Sequence, residues 1–118
     1  MAGYVHSNHA LLVMEAIDSL RVLRVDAVAA TVRTLYTHAS PYVRAAVLRY
    51  ISHLVPTDAP PLLVAALDDP HPIVRSEALD GLDLIDFAAD EPRVRALLLD
   101  EDDAVREAAH WFIKRREA

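Results

Sequence analysis

The chain has no cysteine, which excludes a disulfide framework and thiolate chemistry and fits a reducing, cytoplasmic setting. It has two glycines, Gly3 and Gly81, so no glycine-rich loop is available to cradle a phosphate. No stretch approaches the roughly 18 consecutive apolar residues that a membrane-spanning helix needs. The first twenty residues lack a basic leader, and Glu15 and Asp18 interrupt their apolar run, so a signal peptide is not expected. No Ser or Lys stands in a recognisable nucleophile motif. His6 and His9 have an H-x-x-H spacing, but they lie at the N-terminus with no nearby carboxylate, and no metal is expected there. No cofactor is implied. What remains is 118 residues, 53% hydrophobic and 25% charged, which suits one folded domain with a modest core.

The net charge of −6 is unevenly spread. Residues 1–56 hold five Arg against three acids, whereas residues 57–118 hold seven bases against fifteen acids. An acidic half repels phosphate, so the expected partner is not a nucleic acid but a protein with a basic surface.

Among the seven prolines, Pro41 and Pro72 stand 31 residues apart, as do Pro61 and Pro92, and they mark a repeat. The stretches HASPYVRAAVLRYI, DPHPIVRSEALDGL and DEDDAVREAAHWFI succeed one another at a spacing of 31 residues. In register, Val43, Val74 and Val105 coincide and Arg44, Arg75 and Arg106 follow them. Val47, Ala78 and Ala109 share the next column, and Ile51, Leu82 and Ile113 the one after. Carried backwards, these columns hold Leu12, Ala16 and Leu20, with Val13 where Arg would stand. Apolar residues spaced four, four and three apart define one face of a helix. Ser40-Pro41 supplies an N-cap and a proline at the first helical position, and Asp102-Asp103 places acids at the positive end of a helix. A second helix fits each unit, beginning near Asp26, Asp58 and Asp90. Seven helices are predicted, over 8–23, 26–38, 41–54, 59–68, 72–86, 91–99 and 103–116. They fall in units of approximately 9–39, 40–70, 71–101 and 102–118. The fold class is all-α, an α-α superhelix with a 31-residue period.

The phrase LDDPHPIVRSEAL and its copies resemble the short HEAT-like repeat of the phycobilisome-lyase type, over nearly the whole chain from Ala10 onward. The resemblance implies a ladder between units, in which an Asp before the turn meets an Arg six residues later. Carried over, that gives Asp69 with Arg75 and Asp100 with Arg106, and a weaker first member, His38 with Arg44. Related hydroxylases carry His-Glu pairs for iron, and this chain has no His-Glu dipeptide. Related DNA glycosylases need a basic surface rich in aromatics, which an acidic half and a single Trp do not supply. Bilin lyases share the repeat type, but nothing marks a tetrapyrrole pocket. The resemblance therefore implies a non-catalytic binding module, with a toxin-neutralising immunity protein as a special case and a lyase-type enzyme or enzyme subunit as the alternative.

Two surface features bear on binding. Glu77, Asp80 and Asp83 step by three on the 72–86 helix, opposite its apolar positions, and are expected to point outward. With Arg49 and Trp111 in equivalent columns, they form the expected partner-facing surface, on the concave side. The consecutive Trp111, Phe112 and Ile113 suggest an apolar terminal face suited to a partner or a second copy. Gly81 shares a column with Tyr50 and Phe112, and is expected to make room for an aromatic ring from an adjacent unit.

Overall fold

The computed structural model describes residues 2–87 and 92–117, with side chains described from His9 onward. The described residues are helical throughout, without strands. Four long helices are α1 (Ala2–Val22), α3 (Pro41–Leu54), α5 (Pro72–Leu84) and α7 (Asp103–Glu117). Shorter helices alternate with them: α2 (Ala29–Thr34), α4 (Ala59–Ala66) and α6 (Pro92–Ala96). Each long helix packs on the next in chain order, α1 on α3, α3 on α5 and α5 on α7, with the short helices against them. This is the α-α superhelical stacking that the 31-residue period requires.

The short helices are shorter than their sequence pattern suggests. α2 and α6 each tighten into a 3-10 turn, at Leu35–Thr37 and Leu97–Leu99. The next residues, His38 and Asp100, leave the helix in extended conformation, with ψ of 145° and 151°. That tight exit sets up the next long helix within two residues. Ser40, in extended conformation, occupies the N-cap of α3, but its hydroxyl makes no cap bond. In α5 and α7 the N-cap side chains do bond inward, His71 Nδ1 accepting from the Ile73 amide at 3.2 Å and Asp102 Oδ2 from the Val105 amide at 3.1 Å, and in all three units the turn is also pinned two residues earlier. His38 Nδ1 accepts from the Ser40 amide at 2.9 Å, Asp69 Oδ1 from the His71 amide at 2.9 Å, and Asp100 Oδ2 from the Asp102 amide at 3.0 Å. One column of the repeat thus pins every turn that enters a long helix.

The core runs between the two layers. Val43, Val47, Leu48 and Ile51 of α3 are buried, as are Val74, Ala78 and Leu82 of α5 and Val105, Ala109 and Phe112 of α7. Each fully buried Val or Leu contributes about 1.5–3 kcal/mol. Tyr50 is also buried, and its hydroxyl donates to the Val25 carbonyl in the preceding unit. In α1 the expected core column is displaced. Leu12, Ala16 and Leu23 are exposed, and Ala10 and Ile17 are buried instead. The cause is positional: α1 has a long helix on one side only.

The Arg–Asp ladder is present, with a register that differs from the implied one. Arg44 forks onto the carboxylate of Asp69, with Nε at 2.9 Å from Oδ2 and Nη2 at 3.0 Å from Oδ1. Arg75 meets Asp100 in the same place, Nη2 donating to Oδ2 at 2.9 Å, while Nε lies 2.9 Å from Oδ1 without the alignment of a hydrogen bond. Each Arg thus takes the carboxylate 25 residues ahead, from the turn of the following unit. The Asp six residues before it supplies only a backbone carbonyl. Arg75 Nη1 donates to the Asp69 carbonyl at 2.9 Å, and Arg44 Nη1 to the His38 carbonyl at 2.9 Å. The physical reason is reach. The guanidinium fork spans the gap between stacked units, while the nearer Asp turns its carboxylate onto its own turn amide. Arg44 is accordingly a full member of the ladder and not a weak one. Arg106, half-buried, bonds the Asp100 carbonyl at 2.6 Å and pairs with Asp103 of its own helix. The missing rung is earlier, where Val13 and His38 occupy the two paired positions and neither charge is present.

Gly81 is closely approached, but not by a ring. A Cβ at this position would lie 2.6 Å from Leu63 Cδ2 and 2.6 Å from Ser52 Oγ. Tyr50 and Phe112, its column neighbours, are not among the atoms closest to it; a Cβ there would instead require the Leu63 or Ser52 side chain to shift.

Candidate interaction face

A long helix exposes a side face at positions four, three and four apart. In α1 these are Leu11, Glu15, Asp18 and Val22, and a shift of 31 gives the same set in α3, α5 and α7, where Ala46 of α3 is the buried member. One row across the four helices reads Leu11, Tyr42, Ile73 and Ala104, all exposed. A second reads Asp18, Arg49, Asp80 and Trp111, and a third Val22, His53, Leu84 and Arg115. Large apolar side chains, Leu11, Tyr42, Ile73, Leu84 and Trp111, therefore stand open on one side of the stack. Of these, only Trp111 stands out in the sequence. Tyr42, Ile73 and Leu84 are missed, although their period-31 column was the signal that could have found them.

The central row is held by ions. Arg49 reaches both ways across the stack, to Asp18 of the preceding unit at 3.1 and 3.2 Å and to Glu77 of the following unit at 2.6 Å. Burial alone would lower the Arg49 pKa, but its hydrogen bonds to Asp18 and Glu77 outweigh that and raise it, so the guanidinium stays charged. Glu77 is in the opposite position. Burial raises its pKa, and Arg49 offsets this only in part, because one cation serves two carboxylates and Asp80 and Asp18 add further negative charge. Asp83 pairs with Arg115 and lies 2.8 Å from Nη1 of Arg116. Arg116 in turn lies 3.6 Å over the Phe112 ring and donates to the Phe87 carbonyl at 2.9 Å.

The expected acidic stripe is therefore divided by the structure. Glu77 and Asp83 are tied into ion pairs between neighbouring long helices, so they contribute to stacking as well as to surface charge. The expectation that they point outward is corrected for these two, which are half-buried, because facing arginines arrive from adjacent units 28 to 33 residues away in sequence. Asp80 is exposed and makes no ion pair among the described residues. Partial desolvation and then the Asp83 charge raise its pKa, against the pull of Arg115. Glu107, exposed on α7, likewise makes no ion pair among the described residues. The two acids flank an open groove of about 250 Å³ between α5 and α7, with Leu79 and Ala108 along it and Trp111, 47% exposed, beside them.

At the C-terminal end, Phe112 is buried and Ile113 half-buried, so the expected apolar terminal face reduces to Trp111 on the side face. The side chain of His6 lies outside the described residues, so the H-x-x-H pair is not placed. Among the described residues, no three or more His, Asp or Glu are grouped so as to hold a metal ion. None of the described helices is long and apolar enough to cross a membrane.

Comparison with protein families gives a match to HEAT repeats over residues 4–83 and 59–117. No curated protein and no solved structure gives a significant match. HEAT repeats are in general protein-interaction modules, and proteins built from them are typically non-catalytic scaffolds. Between them the two matched segments span nearly all of the described helices, and the chain belongs to the HEAT-repeat family.

Proposed function

We propose that the protein is a non-catalytic, cytoplasmic binding module that receives a basic segment of another protein on the side face of its long helices, at the groove between α5 and α7. The observation that carries this reading is the combination at that groove of two acids that make no ion pair among the described residues, Asp80 and Glu107, with an exposed Trp111. Every other acid singled out on α5's open side is matched by an arginine from a neighbouring helix. An aromatic anchor next to unmatched charge is the pattern of an interface hot spot with electrostatic steering. A Lys or Arg entering the groove would meet both carboxylates and lie against the Trp111 ring, an arrangement that favours cations.

Selection of a displayed random peptide library on the immobilised chain tests this. Lys- and Arg-containing peptides with adjacent apolar residues are expected, and their binding is expected to weaken with added salt. The variant Asp80→Lys/Glu107→Lys should lose them, as should Trp111→Ala. These three side chains are exposed, so the fold survives the changes, whereas reversing Glu77 or Asp83 would also break the stack. Selected peptides without basic residues, or equal binding to the variants, would refute the assignment.

A further inference from the structure

We propose that the exposed end of α1 is covered by α1 of a second copy, in an antiparallel two-fold dimer. The evidence is the repeat itself. Three columns that are buried in every later unit are open in the first, and a fourth is buried in the second unit and open in the first. Val43, Val74 and Val105 are buried, while Leu12 is 66% exposed. Val47, Ala78 and Ala109 are buried, while Ala16 is exposed. Tyr50, Gly81 and Phe112 are buried, while Ser19 is exposed. Ala59 is buried, while Val28 is open. Leu23, 73% exposed, completes the row. The end of α1 thus presents the surface that elsewhere in the chain packs against a long helix.

The other end of the stack does not fit it. The columns that α3 and α5 turn toward the following helix carry Leu48 and Leu79, both buried. In α7 the same column holds His110, with Arg106, Glu107 and Lys114 around it. A polar end against an apolar end excludes head-to-tail stacking of copies. A head-to-head arrangement is self-complementary. The open row of α1 reads Leu12, Ala16, Ser19, Leu23, large-small-small-large and symmetric about its centre. A two-fold axis at that centre sets Leu12 against Leu23 of the second copy and Ala16 against Ser19. The small pair lets the helices approach, and the leucines close both ends. Leu11 and Val22 flank the row and Val28 adds to it, so each copy brings five large side chains with on the order of 100 Å² of apolar surface apiece. The pair would bury on the order of 1,000 Å², the lower bound of a specific interface, so a weak, concentration-dependent dimer is expected.

Sedimentation equilibrium from about 1 to about 200 µM should show a monomer–dimer equilibrium, and Leu12→Glu/Leu23→Glu should be monomeric throughout with an unchanged melting curve. Because the chain has no cysteine of its own, single-cysteine variants report the register. An equimolar mixture of Ala16→Cys and Ser19→Cys should form a disulfide-linked heterodimer under mild oxidation, faster than either variant links to itself. A monomer at the highest concentration, a dimer that persists in Leu12→Glu/Leu23→Glu, open-ended oligomers, or cross-linking without preference for the mixed pair would each overturn the proposal.

Discussion

Removal of the Asp69 carboxylate tests the ladder most directly. The Asp69 side chain is 6% exposed and that of Arg44 15% exposed, and both oxygens of the carboxylate are engaged by the guanidinium. Breaking a buried ion pair from one side strands the other charge and costs about 3–5 kcal/mol. Arg44 keeps two carbonyl acceptors, His38 and Ala39, and is near enough to the surface to recruit water, which places the cost at the low end, about 3 kcal/mol. Asp69→Ala also deletes the acceptor for the His71 amide at the entry to α5, for about 1 kcal/mol more. The sum is on the order of a third of a small domain's stability. With an unfolding entropy of about 2.1 cal/mol/K per residue, each kcal/mol shifts the melting temperature of this chain by about 4 °C, so a loss of about 15 °C is expected. Asp69→Asn keeps the turn acceptor and should lose markedly less. Arg44→Met with Asp69→Ala removes both charges and should be less harmful than the two single effects added together, because no charge is left buried. Urea unfolding of the parent, Asp69→Ala, Asp69→Asn, Arg44→Met and the double variant measures each value. Asp69→Ala within about 0.5 kcal/mol of the parent, or a double variant whose cost is simply additive, would refute the reasoning.

Gly81→Ala should destabilise by on the order of 1 kcal/mol, because an overpacking cost of about 1–3 kcal/mol against Leu63 and Ser52 exceeds the helix-propensity gain of about 1 kcal/mol. Thermal denaturation checks it, and a raised melting temperature would show that the neighbours yield freely. Asp100 governs the acid limb. Burial pushes its carboxyl up, but hydrogen bonds from Arg75 and the Asp102 amide, with the charges of Arg75 and Arg106, hold it below the usual range. A lowered folded pKa contributes stability that is complete above the unfolded value of about 3.9 and is lost as pH falls through the folded value. Stability against pH should therefore drop more gently below about pH 4 in Asp100→Asn than in the parent, at a lower plateau; parallel curves would exclude Asp100 as a titrating contributor.

The fold was legible because the columns repeat. Val43, Val74 and Val105 predict the same helix face three times, and Pro41, Pro72 and Asp103 place its starts. The helix ends were less so. Leu35–Thr37 and Leu97–Leu99 carry good helix formers, and only the need to deliver His38 and Asp100 into a capping turn tightens them to 3-10 geometry. The ladder residues were identifiable by type and spacing, but not their partners. An Asp six residues before an Arg looks like its mate in sequence, yet the carboxylate that is free to meet it comes from the next turn.

The side face was hardest to read, because its chemistry depends on which charges cancel between units. Glu77, Asp80 and Asp83 look alike on a helical wheel. What separates them is the column each faces across the stack. Arg49 stands one unit back, level with Glu77, while Arg115 and Arg116 stand one unit on, level with Asp83. Nothing of opposite charge pairs with Asp80 among the described residues, and Trp111 occupies the position 31 residues after it. The same logic explains the first unit. Val13 and His38, the two members of the absent rung, are 25 residues apart, the separation of Arg44 from Asp69 and of Arg75 from Asp100. Losing one alone between two stacked units would bury an unmatched charge, a cost that replacing both avoids. That rule makes paired substitution, rather than identity at single positions, the quantity to follow when reading other HEAT repeats of this length.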